Sequence, residues 1–174
     1  MINENQVTLK LLRTKDYTSK YLLWMNDKRV TQYTEQRYTK HSKKKILKFI
    51  RDKNKSKNEF LFGIFLKNKN KKSSHVGNIK IGPINFIHKT SDISYFVGDE
   101  KHRGRSIASI AIKKILRIAK KKFKLKKITA GFYQDNFASK RVLKKNGFSK
   151  EGELKNQLIY KNKRVSNFIY GKII

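Results

Sequence analysis

One stretch of this chain, Ser91 to Ala119, places a strand, a basic turn and a long helix in immediate succession. Ile93 to Val97 has strand character, Arg103 and Arg105 lie in the turn, and an apolar-faced helix opens at about Ser106. The first amides of a helix lack intrahelical partners, and the helix dipole adds partial positive charge at that end. Because guanidinium groups also bind phosphate oxygens, the stretch predicts a binding site for a diphosphate.

Composition limits the classes of protein to which the chain can belong. Its 174 residues fit a single domain (1–174), and 37% hydrophobic residues with 11% aromatics are enough for a packed core. The lack of cysteine excludes disulfides and thiolate metal sites, and the four histidines lack ligand spacing, so we expect no metal. No apolar run reaches the length of a membrane span, and we expect a cytoplasmic protein.

The charge is extreme, with 44 Lys and Arg against 12 Asp and Glu, a formal net charge of +32. Such a charge is typical of nucleic-acid-binding proteins. Lysine greatly outnumbers arginine, however, Asn and Ile are plentiful, and the excess is spread over the whole length. This pattern favours compositional drift under AT-rich coding, so nucleic acid is a possible partner but not the favoured one. In either case the field attracts anionic ligands and repels polycations.

Hydrophobic periodicity and turn residues predict the element order β-α-α-β-β-β-α-β-α-β-β. The predicted strands are 7–12, 60–66, 76–84, 93–97, 127–133, 154–160 and 165–173, and the predicted helices are 16–25, 42–51, one from about 106, and 136–145. Ser42 is the expected N-cap of the second helix, Gly82-Pro83 should end or bulge a strand, and a turn rich in Lys and Asn joins the hairpin at 60–84. This order predicts a mixed α/β fold, with one sheet and helices on both faces.

Two motifs resemble those of the GNAT N-acetyltransferase superfamily, and the resemblance spans nearly the whole chain. Arg103 to Ala108 (RGRSIA) is similar to the family's phosphate-loop pattern, Gln/Arg-x-x-Gly-x-Gly/Ala, with Ser106 in place of the middle glycine, where it suits a helix N-cap. Asn136 to Phe148 (NFASKRVLKKNGF) is similar to the family's Asn-x-x-Ser/Ala…Gly-Phe segment at its expected spacing. The resemblance implies a GNAT-like fold, with a splayed central mixed sheet, in the branch of ribosomal-protein and nucleotide-amino-sugar acetyltransferases.

The same resemblance implies that acetyl-CoA is the co-substrate. The pyrophosphate would lie on the amides of the phosphate loop, and the pantetheine arm would pair like a strand with the backbone where the sheet splays. The residues implied to bind acetyl-CoA are Phe96, Val97, Arg103, Gly104, Arg105, Ser106, Ile107, Ala108, Asn136, Ser139 and Lys145.

Acetyl transfer to an amine needs a base for the amine and can use an acid for the leaving thiolate. Many family members take the acid from a tyrosine seven residues after the motif asparagine, but that position here is Leu143, which leaves Ser139, Tyr133 or water as donors. Asp92 is the first candidate base, because one branch of the family has a glutamate at the corresponding place; the alternative is an ion pair with nearby lysines. His88 is the second candidate, with a pKa suited to neutral pH, unless it is simply an exposed turn residue.

The segment 24–37 corresponds to the family's variable acceptor-binding region. With GNIKIGPIN and ITAGFYQDN elsewhere in the chain, it looks most like enzymes that acetylate amino sugars on nucleotide carriers, in surface-polysaccharide or flagellar-glycan synthesis. Trp24 and Tyr33 could stack on a base or sugar and Arg37 could hold phosphate, whereas the alternative for Trp24 is a core position on the first helix. An anionic small-molecule acceptor agrees with the positive charge of the chain, and a polyamine does not.

Two other functions stay open at this point. A protein N-terminal acetyltransferase of the ribosomal-protein type shares Ser139 and Leu143. A basic nucleic-acid-binding module that keeps the fold without the activity would account for the charge. The sequence is compatible with a monomer or a homodimer.

Overall fold

Seven strands and five helices account for most of the chain, and the computed structural model describes residues 2–67 and 72–174. The strands are β1 (Val7–Leu11), β2 (Phe60–Lys67), β3 (Ser73–Asn85), β4 (Thr90–Val97), β5 (Lys127–Tyr133), β6 (Ser149–Tyr160) and β7 (Lys163–Ile173). The helices are α1 (Ser19–Asn26), α2 (Lys28–Thr31), α3 (Lys43–Lys55), α4 (Ile107–Lys122) and α5 (Phe137–Lys145). Short 3₁₀ turns lie at Glu4–Gln6, Thr14–Asp16, Glu35–Tyr38 and Glu100–His102.

All seven strands join one sheet in the order β1-β2-β3-β4-β5-β7-β6. Every neighbouring pair is antiparallel except β4 and β5, which run parallel. The parallel pairing lasts for only three residue pairs, from Thr90 opposite Lys127 to Asp92 opposite Thr129, and beyond it the two strands part. The predicted mixed sheet with a central splay is therefore confirmed.

Helices cover both faces of the sheet. Alternate residues of each strand point to opposite sides, so apolar side chains lie on both faces and each face packs against helices. On one face, α4 buries an apolar stripe, at spacings of three and four residues, in the cluster that also holds Phe62 and Ile64 of β2. On the other face, α1 and α3 pack around Leu61 of β2, with Trp24 and Ile50 fully in that core. The layered α/β arrangement expected from the sequence follows from these two apolar clusters.

Most predicted elements are present, with differences at their ends. The first helix starts at Ser19 instead of residue 16, because the Thr18 hydroxyl caps it by accepting from the Tyr21 amide at 3.4 Å. The short helix α2 was not predicted, and β6 begins at Ser149, before the predicted residue 154. The bulge expected at Gly82-Pro83 is confirmed by the register shift between Ile81 and Ile84. The turn rich in Lys and Asn includes residues 68–71, which lie outside the described residues.

In the two described ranges, no helix combines the length and the apolar character needed to cross a membrane.

Candidate active site

Two cavities meet where β4 and β5 part. The first, of about 730 Å³, lies between the diverging strands and the starts of α4 and α5. The second, of about 840 Å³, lies toward α1 and α3, so the two cavities open on opposite sides of the splay. The residues that line both are Tyr33, Thr34, Ser94, Tyr95, Phe96, Gly131 and Phe132. A ligand in one cavity can therefore react with a ligand in the other at the level of these residues.

The phosphate loop, Arg103 to Ala108, forms one end of the first cavity, at the start of α4. The first α4 amide with a carbonyl partner inside the helix is that of Ile110, which donates to the Ser106 carbonyl at 3.0 Å. The amides of the helical positions before it, Ile107 to Ser109, have no carbonyl one turn back, and they point out of the helix end. Gly104 (φ 70°) allows the turn that precedes them. The structure thus places a set of free amides at a positive helix end, at the position where the sequence predicted a diphosphate to bind.

Ser106 occupies the N-cap position of α4, but its hydroxyl makes no capping hydrogen bond. Its backbone lies in the left-handed region at φ 63°, a conformation that favours glycine. The expectation that serine suits this position as a cap is therefore wrong. The geometry also explains why glycine is the usual residue here in the family's loop pattern.

Arg103 holds the loop against the end of β4. Its Nε donates to the Val97 carbonyl at 3.3 Å and its Nη2 donates to the Gly98 carbonyl at 3.2 Å. The side chain therefore fixes the strand-to-loop junction with two of its nitrogens, in addition to lining the first cavity. Arg105, by contrast, is exposed and lies outside the lining of both cavities.

The edge of β4 offers backbone groups to the first cavity. Phe96 and Val97 pair with Asn78 and Gly77 of β3 on one side, and the pairing with β5 on the other side stops at Asp92. An extended ligand can therefore add to β4 as a strand would. Across the cavity, the Asn136 side chain caps α5 by accepting from the Ser139 amide at 3.1 Å, and Leu143, 1% exposed, closes the inner wall.

Tyr95 places a buried hydroxyl beside this cavity. Among the described residues no group forms a hydrogen bond with its Oη, although Ser139 lies nearby. Burial raises the pKa of Tyr95 to about 12, so the phenol stays protonated at neutral pH. Buried hydroxyls rarely stay unpaired, and this one is available to a ligand or a water molecule.

The first cavity brings together ten of the eleven residues that the sequence assigned to acetyl-CoA. They are Phe96, Val97, Arg103, Gly104, Ser106, Ile107, Ala108, Asn136, Ser139 and Lys145. These residues come from four separate elements, β4, the phosphate loop, α4 and α5 with its N-cap, and the fold places them on one surface.

The two candidate bases lie outside the lining of both cavities. The Asp92 carboxylate accepts a hydrogen bond from the Thr129 hydroxyl, at the last residue pair before the strands part. His88 is exposed in the turn between β3 and β4, where its amide donates to Asn85 Oδ1 at 2.9 Å. Their assignment as bases stays a prediction, and the geometry of the cavities does not support it.

Of the three residues assigned to the acceptor, only Tyr33 lines a cavity. Trp24 is 7% exposed and packs in the core of α1, its ring 5.2 Å from that of His75, so the core alternative is the correct one. Arg37 donates to the carbonyls of Gln32 at 2.6 Å and Ile159 at 2.7 Å. Its guanidinium therefore ties the 3₁₀ turn Glu35–Tyr38 to β6, and it lies outside both cavities.

The second cavity contains two polar residues, Glu35 and Asn78, to which the sequence assigned no role. Tyr133, one of the candidate acids, lines the same cavity, and its hydroxyl donates to Glu35 Oε1 at 2.6 Å. Asn78 is 2% exposed, and its Oδ1 accepts a hydrogen bond from His75 Nε2 at 2.8 Å. No described atom accepts a hydrogen bond from its Nδ2. A sequence signal for Glu35 was available, because it is one of two acidic residues, with Asp27, in the segment 24–37 of a chain that has only 12 acidic residues.

Neither cavity holds a metal site in the described part of the chain, where no cluster of three or more His, Asp or Glu has the arrangement to bind an ion.

Comparison with curated proteins supports a family assignment. The chain is 32% identical over 115 residues to the probable N-acetyltransferase YjcK of Bacillus subtilis (strain 168). The match covers 66% of this chain and spans only 62% of that relative's length.

Several solved structures share the fold at low sequence identity. RimL, a ribosomal-protein α-N-acetyltransferase in complex with coenzyme A, is 19% identical with a TM-score of 0.85, over 97% of this chain and 94% of that one. The spermidine N-acetyltransferase of Vibrio cholerae, in complex with CoA and spermine, is 18% identical with a TM-score of 0.83, over 97% of this chain and 96% of that one. The microcin C7 self-immunity acetyltransferase MccE, in complex with acetyl-CoA and AMP, is 21% identical with a TM-score of 0.80, over 98% of this chain and 93% of that one.

The family model for the acetyltransferase (GNAT) domain matches residues 6–149, from the end of the first 3₁₀ turn to the first residue of β6. The matched part contains the phosphate loop, both strands of the splay and all five helices. The chain therefore belongs to the GNAT family of acetyltransferases.

Proposed function

We propose that this chain is an N-acetyltransferase that uses acetyl-CoA to acetylate a primary amine on a small anionic acceptor, namely the amino group of a nucleotide-linked amino sugar. The observation that carries the proposal is the meeting of two cavities at the splay of β4 and β5. One cavity has the features that a long diphosphate ligand needs, and the other is a separate chamber for its reaction partner.

The residues of the first cavity fit acetyl-CoA. The amides at the start of α4 would bind the pyrophosphate, the free edge of β4 at Phe96 and Val97 would pair with the pantetheine arm, and Lys145 would reach a phosphate. Tyr95 and Ser139 place hydroxyl groups on the inner wall. When bound, acetyl-CoA supplies the acetyl thioester, and the role of these residues is to orient it and to exclude water.

The charge and shape of the second cavity support an anionic acceptor. Its volume is within the range of small-molecule sites, and Tyr33, Phe49 and Phe96 offer rings for stacking. Lys45 forms no ion pair among the described residues; its Nζ donates to the Lys40 carbonyl at 3.0 Å. The charge at this rim is therefore available to a phosphate.

The buried Asn78 amide adds a polar contact for the acceptor. Asn78 lines the second cavity and its Nδ2 is without a described acceptor, so we infer that a sugar hydroxyl or a base carbonyl of the ligand accepts from it. Two structural neighbours differ in their ligands, since one holds AMP and another holds spermine. The net charge of +32 favours the nucleotide, because a polyamine would be repelled.

Release of the CoA thiol tests the proposal directly. Purified protein with acetyl-CoA is given UDP-glucosamine, a peptide with a free N-terminus, or spermidine, and thiol release is followed with a chromogenic reagent. We expect release with UDP-glucosamine and little with the other two. A preference for the peptide or for spermidine overturns the acceptor assignment. No release with any amine, together with tight and salt-sensitive RNA binding, would support the nucleic-acid-binding alternative.

A pair of charge reversals on α3 tests the role of the cavity in recognition. Lys45→Glu places a negative charge on the cavity wall, whereas Lys44→Glu makes the same change on an exposed residue outside both cavities. We expect Lys45→Glu to raise the KM for the nucleotide-linked acceptor several-fold more than Lys44→Glu does, because the phosphate meets a like charge. The KM for acetyl-CoA should be similar in the two variants, and an equal effect on the acceptor KM would argue against this cavity.

A further inference from the structure

We propose that Glu35, held in place by Tyr133, binds the ammonium group of the acceptor and removes its proton. The inference rests on the proposed function only in requiring an amine as acceptor, and it holds for any class of amine. It gives the role of base to a residue that neither motif contains.

Glu35 differs from the other residues that line the two cavities because it has a carboxylate. Within residues 2–67 and 72–174, it carries the sole carboxylate that lines either cavity. An amine acceptor is protonated at neutral pH, and an ammonium ion that enters a basic cavity needs a compensating negative charge. Glu35 is exposed on the cavity wall, so an incoming ligand can reach its carboxylate from solvent.

The position of the pair matches the place where the two ligands meet. Glu35 directly follows Tyr33 and Thr34, and Tyr133 directly follows Phe132; these three neighbours line both cavities. The carboxylate thus lies next to the junction, on the acceptor side of it. Asp92, by comparison, lies before the splay and is bonded to Thr129.

The hydrogen bond from Tyr133 fixes the carboxylate in a definite orientation. Tyr133 Oη donates to Glu35 Oε1 at 2.6 Å, and this leaves Oε2 for the ammonium group. Burial first, and then the hydrogen bond to Glu35, raise the pKa of Tyr133 to about 12, so the phenol remains a donor at neutral pH. The Arg37 guanidinium lies 4.9 Å from the centre of the Tyr133 ring, a cation–π contact that helps to hold the ring in place.

Other charged and titratable groups surround this pair. Those that share the cavity or contact its members are Arg37 on the same 3₁₀ turn, Tyr160 on β6, Tyr33 before the turn, His41 and Lys45 near the start of α3, Lys53 at its end, and Lys80 on β3. All of these groups are cationic or neutral. In the described part of the chain, Glu35 therefore supplies the carboxylate that an ammonium group would meet on this cavity wall.

The proton balance follows from these positions. One proton passes from the ammonium nitrogen to Glu35 Oε2 and then to solvent at the open side of the cavity. The neutral nitrogen forms the N–C bond to the acetyl carbon of the thioester while the C–S bond breaks with its electron pair on sulfur. The second proton of the nitrogen goes to that sulfur, directly or through water, so the products are an amide, the free thiol and one proton.

Glu35→Gln and Tyr133→Phe test the inference, with Glu153→Gln as a matched control on β6 outside both cavities. We expect Glu35→Gln to lower kcat/KM for the acceptor about a hundredfold or more at neutral pH, the scale of general-base catalysis. The defect should shrink as the pH rises toward the pKa of the free amine, because neutral amine then needs no base. Tyr133→Phe should show a smaller defect of the same form, and Glu153→Gln should match the wild type.

The choice of acceptor keeps the two proposals separate. The assay uses whichever of UDP-glucosamine, the peptide or spermidine gives the fastest thiol release with the wild type. If the peptide or spermidine is the best acceptor, the acceptor assignment fails, yet the pH-dependent loss in Glu35→Gln still supports its role as base. A Glu35→Gln profile that parallels the wild type at all pH values overturns that role. Loss in Asp92→Asn with the same pH dependence would assign the base to Asp92 instead.

Discussion

Two serines at helix starts show how the same residue type serves different purposes. Ser42, the N-cap of α3, accepts a hydrogen bond from the Lys45 amide at 3.3 Å through its hydroxyl. Ser106, the N-cap of α4, has a left-handed backbone and makes no such bond. Ser42 therefore stabilises its helix as a cap, whereas Ser106 leaves the amides of α4 free for a ligand.

Ser42→Ala and Ser106→Gly should have opposite effects on stability. Ser42→Ala should lower the free energy of unfolding by about 1 kcal/mol, because a capping hydrogen bond is lost. Ser106→Ala should have little effect, and Ser106→Gly should raise the free energy of unfolding by about 0.5 kcal/mol, because glycine relieves the left-handed backbone. Urea unfolding of the three variants measures these values. A loss in Ser106→Ala as large as in Ser42→Ala would show that the Ser106 hydroxyl does cap the helix.

Contacts between elements hold the second cavity in shape. Glu59 precedes β2 and forms ion pairs with Lys53 of α3 and, at 2.8 Å, with Lys80 of β3. These hydrogen bonds, that from Lys53 first, keep the pKa of Glu59 below its ordinary value. Both lysines line the second cavity, so Glu59 orients them and neutralises part of their charge.

The stability contributed by Glu59 should depend on pH. Because its pKa is lowered in the folded chain, its contribution is fully present above the ordinary pKa of a glutamate and is lost as the pH falls through the lower, folded value. Glu59→Gln should lower the free energy of unfolding by about 1 kcal/mol at pH 7, and the difference from the wild type should close in acid. Urea unfolding at pH 7 and in the acid range measures it. A difference that stays constant with pH would show that packing, not charge, is lost.

Asp52→Asn provides the matched control for that measurement. Asp52 is also paired with a lysine of α3, Lys48, at 2.8 Å, but both side chains are largely exposed. Solvent screens such a pair, so we expect a smaller change in stability than in Glu59→Gln and a weaker pH dependence.

The chain as a whole carries a charge that acts well beyond any one contact. With a formal net charge of +32, the field around the molecule should draw in an anionic ligand before it contacts the phosphate loop. Salt shortens the reach of this field, from about 30 Å in 0.01 M salt to about 3 Å in 1 M salt. The hydrogen bonds inside the first cavity are less affected, since they act at contact distance.

The association rate of acetyl-CoA should therefore fall with ionic strength. Between low and high salt we expect a decrease on the order of tenfold in the association rate constant, measured by stopped-flow fluorescence, with a smaller change in the dissociation rate. S-acetyl-pantetheine, which lacks the phosphates, serves as the uncharged control and should show little salt dependence. Equal salt dependence for the two ligands would contradict a role for the net charge in capture.

Most of the order of strands and helices, and the residues proposed to bind acetyl-CoA, could be predicted from the sequence, because both depend on local patterns. Strand and helix periodicities act over a few residues, and the phosphate loop and the Asn136 segment are each continuous in the chain. The cap of α3 by Ser42 and the bulge after Ile81 are also local, and both are confirmed. The bounds of α1 and β6 differ from prediction, since they depend on a capping hydrogen bond and on pairing with β7.

The residues proposed to contact the acceptor are brought together by packing between distant parts of the chain. Glu35 and Tyr133 are 98 positions apart, and no local pattern links them. Trp24 and Arg37 have side chains suited to ligand binding, but Trp24 is used in the core and Arg37 in tying a turn to β6. Residue type alone does not separate these uses. The sequence was sufficient to predict the family and a set of residues for acetyl-CoA, because both rely on short continuous motifs. The grouping of Glu35 and Tyr133 at one cavity was decided by the tertiary structure, because only the folded sheet brings side chains so distant in sequence together.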